Sequence, residues 1–199
     1  MLIRLADGDG KSAGNIDVVL VAYDQAGKVT DFGSLEVQAV YISGNVRDPF
    51  AHYMSDCFTN RNMGWRGQPN YPRPDFLSSS RKRLAPQLTF KGGILNAWDK
   101  KMAVALDSPF FDTLPILKEV PKQEADVAWL VYDLIPSQSD NLRINRTKTV
   151  YTMFSEALNI ISKPKIGKID SFLKILQSKI DEKLEFPPIN QTIYNPFDL

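Results

Sequence analysis

Apolar residues arrive in strand-like runs over the first quarter of the chain and at helical spacing near its end. Residues 16–23 (IDVVLVAY) form a continuous apolar run enriched in β-branched side chains, which predicts a strand covered on both faces. Asp24-Gln-Ala-Gly27 is a turn signal, and residues 29–42 read as a second, longer strand, so the two predict an antiparallel hairpin. Residues 2–5 supply a short strand before it. Residues 102–106 and 127–134 predict two further strands, with a short helix around residues 110–117 between them.

Between 43 and 75 the pattern dissolves into Gly, Pro, Asn, Arg and aromatic residues, too long a stretch for an ordinary connector. Ser78 to Ser80 offer caps for a helix running to Leu84, and Pro86 opens a further helical stretch toward Trp98, interrupted at Gly92-Gly93. Val150, Tyr151, Phe154, Leu158 and Ile161 fall on one helical face, as do Ile169, Phe172, Leu173, Leu176 and Ile180. Pro164 and Gly167 divide these two helices. The tail from Phe186, with Pro187, Pro188 and Pro196, is expected to be extended. The organisation expected is a core over residues 1–135 and a helical extension with an extended tail over 136–199.

Composition narrows the function classes. A chain of 199 residues buries roughly 70% of the surface its unfolded form exposes, so a core needs no staples. Its hydrophobic share of 43% and charged share of 24% are those of an ordinary soluble domain. A formal net charge of +1 means that a polyanionic partner must be met by a local basic surface. The single cysteine, Cys57, excludes an internal disulfide and a multi-cysteine zinc cluster. With neither a signal peptide nor an apolar window long enough for a membrane helix, the expectation is a cytoplasmic protein that meets no membrane.

Several motifs fail on inspection. Gly8-Asp-Gly10-Lys11-Ser12 imitates the end of a phosphate loop, but Leu5 stands where the motif requires glycine. Asp7-Gly-Asp9-Gly10 lacks the remaining ligands of a calcium loop. His52 is the sole histidine and no Gly-Xaa-Ser-Xaa-Gly elbow partners it, so it reads as a loop or packing residue. Cys57 reads as a small hydrophobe.

Asp17, Glu36 and Gln38 are the positions that break the apolar pattern. Side chains alternate along a strand, so Asp17 shares its side with Val19, Val21 and Tyr23, and Glu36 and Gln38 share theirs with Val40 and Ile42. Buried carboxylates are costly unless paired, protonated or bound to metal, and the two strands carry no nearby Lys or Arg. A hairpin brings Asp17 and Glu36, nineteen positions apart, into adjacency. Oxygen ligands of this kind suit a hard ion such as Mg²⁺, which polarises a phosphodiester and activates water. The bland alternative is that Asp17 caps the strand entry while Glu36 and Gln38 lie at a wet edge.

The run Gly14-Asn-Ile-Asp17-Val-Val-Leu, a turn, and Phe32-Gly-Ser-Leu-Glu36-Val-Gln38-Ala-Val-Tyr resembles the core of PD-(D/E)XK nucleases. The Glu-Xaa-Gln form, followed by Arg83-Leu-Ala-Pro-Gln-Leu-Thr-Phe-Lys-Gly-Gly-Ile-Leu and Trp98-Asp-Lys-Lys, resembles the NotI family of type II restriction endonucleases. The resemblance runs from about Asn15 to Asp133. It implies an α/β fold with a mixed central sheet flanked by helices, here followed by a C-terminal helical extension. It also implies Mg²⁺-dependent cleavage of duplex DNA, with Mn²⁺ as a substitute ion. Asp17, Glu36 and Gln38 would be catalytic, Asp17 and Glu36 metal ligands and the Val37 carbonyl a third. Gln38 would stand where most of the superfamily has lysine. Two departures matter: the fold normally opens with a helix before the strands, and the family's N-terminal region carries a cysteine-bound iron that one cysteine cannot supply. The chain then reads as a catalytic half, a shortened relative or one half of a split pair. It is expected to act as a homodimer or with a missing N-terminal partner segment. The rival reading is a DNA-binding or assembly subunit that keeps the fold without cleavage.

For holding DNA, Arg61, Arg66 and Arg73 are interleaved with Trp65, Tyr71 and Phe76, and Arg81-Lys82-Arg83 follows. Guanidinium groups grip phosphate in bidentate fashion and aromatic rings stack on bases. A solvated loop with snorkelling arginines is the alternative. Lys91, Lys100 and Lys101 are further phosphate-contact candidates or solvated ends of elements.

Overall fold

A computed structural model describes residues 3–6, 8–68, 71–137, 141–164 and 166–185. They fall into two compact units, Met1–Lys163 and Pro164–Leu199. In the first, β1 (Ile3–Ala6) pairs antiparallel with β2 (Ser12–Ile16). Next come β3 (Val18–Tyr23), β4 (Val29–Val37), β5 (Tyr41–Ser43), α1 (Arg47–Ser55) and β6 (Arg73–Asp75). A long helix, α2 (residues 76–97), precedes β7 (Met102–Asp107), α3 (Ser108–Thr113), β8 (Val127–Pro136), β9 (Leu142–Thr152) and α4 (Phe154–Ser162). In the second unit the described residues form one helix, α5 (Ile169–Glu185), as its periodicity predicts. The extended tail expected from Phe186 lies outside the described residues.

The central sheet has strand order β3-β4-β7-β8-β9. β4, β7 and β8 run parallel, and the outer strands β3 and β9 are antiparallel to their neighbours. This is the mixed α/β sheet with flanking helices that the resemblance implies. Parallel neighbours need a crossover, and α2 supplies it between β4 and β7. In register, Glu36 lies opposite Val104, Val104 opposite Trp129, and Trp129 opposite Val150. That row is buried from end to end, so the sheet's apolar core terminates in a carboxylate. Leu84, Leu88 and Leu95 of α2, Phe110 of α3 and Phe154, Ala157 and Ile161 of α4 belong to the same core cluster.

Four features depart from the sequence pattern, each for a local reason. β3 is an edge strand, not one covered on both faces: Val18, Leu20, Val21 and Tyr23 are exposed, and the run's buried residue is Ile16, in β2. The long second strand stops at Val37, and Tyr41–Ser43 pairs instead with Arg73–Asp75, so Val40 and Ile42 share no strand with Glu36. Val150 and Tyr151 lie in β9, not in a helix, because the β8–β9 ladder claims them opposite Trp129 and Ala128. Finally, α2 is one helix where two were predicted. It begins at Phe76 with Asp75 as its cap, the carboxylate accepting from the Ser78 N–H at 2.9 Å.

Within α2 the turns alternate between α and π geometry, with the wider turns at Ser80–Leu84 and Leu88–Gly92. Pro86 has no N–H to donate and its ring crowds the preceding turn; a widened turn accommodates both. The helix also continues through Gly92-Gly93, and packing explains the glycine. A Cβ at Gly92 would lie 2.7 Å from the Phe154 ring, so only glycine lets α4 come this close.

Candidate active site

Asp17 occupies the bend between β2 and β3, outside the ladder, and its side chain is exposed. The β3–β4 pairing ends at Val18 opposite Leu35. Beyond that pair, the Val37 N–H donates to Asp17 Oδ2 at 2.8 Å, so the carboxylate serves as the next rung. Glu36, between Leu35 and Val37, is fully buried. Gln38 is buried as well, and its N–H extends the ladder by donating to the Ala105 carbonyl at 2.8 Å. The strand thus carries the site from the surface at Asp17 into the interior at Glu36 and Gln38.

The partners of these two buried side chains both come from α2. Lys91 Nζ donates to Glu36 Oε2 at 2.5 Å, and Gln38 Nε2 donates to Gln87 Oε1 at 2.5 Å. Gln87 and Lys91 are four residues apart, one helical turn, and they clamp residues two apart on the strand. Gly14 gives the lysine its room: a Cβ there would lie 3.2 Å from Lys91 Cε, and its φ of +109° is a conformation glycine adopts without strain. Two acceptor oxygens are left over. Glu36 Oε1 and Gln38 Oε1 are both buried with no hydrogen-bond partner.

Burial pushes the Glu36 carboxyl above its ordinary range, and the nearby Asp17 carboxylate adds to that push. The hydrogen bond and charge of Lys91 oppose it, with a lesser pull from the Asp17 main-chain amide. A buried ion pair of this kind adds little net stability, but deleting one partner strands the other charge, a loss of about 3–5 kcal/mol.

Two carboxylates, one with a buried unpartnered oxygen, and one unpartnered amide oxygen are the donor chemistry of a hard cation. Asp17 and Glu36 thus offer carboxylate oxygens of the kind a hard divalent cation takes, with water and substrate oxygens needed to complete a shell. Among the described residues no group of three or more His, Cys, Asp or Glu is placed to hold a metal, so an ion here depends on those additional oxygens. A second carboxylate pair, Asp107 at the end of β7 and Asp133 within β8, has Ser108 Oγ–H donating to Asp133 Oδ2. Strand alternation turns Asp107 to the side of the sheet opposite Glu36.

Sequence reasoning singled out Asp17, Glu36 and Gln38; the fold sets the Asp17 carboxylate on the amide of Val37, which stands between Glu36 and Gln38 in the chain. It missed Gln87 and set Lys91 among the phosphate contacts, whereas Lys91 is buried against Glu36. The signal was present: Leu84, Leu88, Lys91 and Leu95 follow one apolar stripe, and a lysine on such a stripe demands an anionic partner. Lys100 pairs with Asp31, and Lys101 donates to the Ala125 carbonyl. Arg61, Arg66, Arg73 and Arg81 are exposed, Arg83 is half-buried, and among the described residues none of the five forms an ion pair. Of the interleaved aromatics, Phe76 stacks on Phe110 in the core and Trp65 packs against Tyr53.

The family model of restriction endonuclease NotI matches residues 1–145, a span that holds Asp17, Glu36, Gln38, Gln87 and Lys91. No curated protein sequence matches the chain. Among the described residues no helix is long and apolar enough to cross a membrane. Type II restriction endonucleases generally use divalent metals, in keeping with the oxygen-rich group on β4. The family match covers well over half of the sequence, and the chain belongs to the NotI family of restriction endonucleases, enzymes that cleave DNA.

Proposed function

We propose that the chain hydrolyses phosphodiester bonds of duplex DNA through a Mg²⁺-dependent PD-(D/E)XK-type site, with Mn²⁺ able to replace Mg²⁺. The observation that carries this reading is the pair of buried, unpartnered oxygens, Glu36 Oε1 and Gln38 Oε1, on the strand bonded to Asp17. Asp17, Glu36 and the Val37 carbonyl hold the ion, and Gln38 completes the catalytic group. When bound, such an ion polarises the scissile phosphate and lowers the pKa of water.

The protein's own groups do the rest. Gln38, with its nitrogen held by Gln87, offers only its oxygen, which accepts a hydrogen bond from the attacking water and orients it. Being neutral, it cannot offset charge developing on the phosphate. The unpaired arginines at 61, 66, 73, 81 and 83 supply phosphate contacts outside the catalytic group. Two protomers related by a two-fold axis match the symmetry of a duplex target, so the working form is a homodimer or an assembly completed by a partner segment. The lone Cys57 suits a reducing compartment, and the enzyme acts in the cytoplasm.

The test is a metal titration followed by melting of the DNA-free protein. Millimolar Mg²⁺ or Mn²⁺ raises the melting temperature by mass action, and Asp17→Asn with Glu36→Gln abolishes that rise. A parental metal response in the double variant removes these residues from the site.

A further inference from the structure

Lys91 is the one cationic side chain that pairs with a candidate ligand among the described residues. Asp17 and Glu36 bring two negative charges to the site. Lys91 cancels one of them from within the protein, because it is buried and its ammonium group donates to Glu36. The strand position where the superfamily resemblance leads one to expect a lysine holds neutral Gln38. The cation beside Glu36 is carried by the helix α2.

We propose that Lys91 is the resident cation of this site: held on Glu36 Oε2, it leaves Oε1 to the divalent ion and limits how tightly that ion binds. The assignment rests on the reading of Asp17 and Glu36 as ion ligands. The geometry favours coexistence of lysine and metal over exchange. Lys91 occupies one oxygen of Glu36, while the other is buried with no partner. Gln87, one turn earlier, fixes Gln38 in the same way, so a single helix sets the orientation of both strand side chains. Gly14 lies beside the lysine stem and leaves room for it to reach Glu36. Lys91 is in this sense a positioning residue, acting through Glu36. A fixed positive charge a few ångströms from a doubly charged ion costs that ion affinity even at high effective dielectric, on the order of tenfold or more. Weak metal binding lets the shell assemble only when substrate oxygens join it.

The experiment is Mn²⁺ binding to the full chain without DNA, measured calorimetrically for the parent and for Lys91→Gln, Lys91→Met and Lys91→Arg. The neutral variants are expected to bind Mn²⁺ roughly tenfold tighter, while Lys91→Arg, which keeps the charge, stays near the parent. A lysine that merely props up the fold predicts the reverse, weaker binding in step with lost stability. Equal or weaker Mn²⁺ affinity in folded neutral variants overturns the proposal. Should both neutral variants be unfolded without metal, millimolar Mn²⁺ is expected to restore a cooperative melt, and failure to do so overturns it equally. Asp17→Asn separates the two levels of inference. If it leaves Mn²⁺ binding unchanged, the metal site itself is misassigned. If it removes binding while the neutral Lys91 variants bind no tighter, only the role of Lys91 falls.

Discussion

Gln38 and Gln87, forty-nine positions apart, share a hydrogen bond of 2.5 Å in which the strand residue donates and the helix residue accepts. The strand amide thereby spends its nitrogen on the helix and keeps its oxygen for the site. Gln87→Ala, which touches no candidate ligand, is expected to slow cleavage because Gln38 loses its anchor. Gln38→Ala is expected to slow it further, by roughly 10- to 100-fold, with little change in DNA affinity. Single-turnover cleavage and DNA mobility shifts measure the two quantities separately. Parental cleavage by Gln38→Ala would reduce that residue to a structural role.

The indole N–H of Trp129 donates to Thr152 Oγ1 at 3.0 Å, and both side chains are fully buried. Replacing Thr152 by valine preserves shape and removes the acceptor, leaving a buried donor unsatisfied. The expected loss is about 1–3 kcal/mol in urea unfolding. A loss below a few tenths of that would mean the indole finds another acceptor.

Gly92 meets Phe154 at the crossing of α2 and α4. Gly92→Ala should cost about 1–3 kcal/mol through overpacking, although alanine favours helix. Phe154→Leu in the same chain should recover part of that loss, giving a favourable coupling in a double-mutant cycle. Additive effects would show that the ring moves aside freely.

Asp75 caps α2, and the Ser78 main-chain N–H, then its hydroxyl, hold the Asp75 carboxyl below its ordinary value of 3.8. A carboxylate favoured in the folded state contributes fully above its unfolded pKa and loses that contribution as pH falls through the folded one. The melting-temperature gap between the parent and Asp75→Ala is therefore expected to be constant near neutrality and to narrow below pH 3.8. Circular-dichroism melts across that range decide it, and a gap that widens in acid would contradict the capping assignment.

How much could be read from the sequence depended on whether a residue's partner lies nearby in the chain. β7 and β8 are central strands whose alternate residues are buried, and Val104 and Trp129 mark them as such in the sequence. Asp17, Glu36 and Gln38 stood out because polar groups interrupt apolar runs. Lys91 and Gln87 did not, since what fixes them is a helix laid across a strand some fifty residues earlier. Likewise the helix predicted through Val150 and Tyr151 gave way to a ladder with β8, and Pro86 does not divide α2 because widened turns flank it.

Asp17 is at once a candidate ligand and the acceptor that holds the Val37 amide just before β3 enters the sheet. Chemistry and scaffolding are thus soldered into one carboxyl group, and the choice of replacement determines which of the two is lost. Alanine would unlatch the fork between the strands and disable the ligand together, so an inactive alanine variant would be uninformative about mechanism. Asparagine retains an oxygen for the Val37 N–H while removing the charge. A correctly folded, inactive Asp17→Asn protein is accordingly the form with which to test whether an uncut DNA duplex binds this surface.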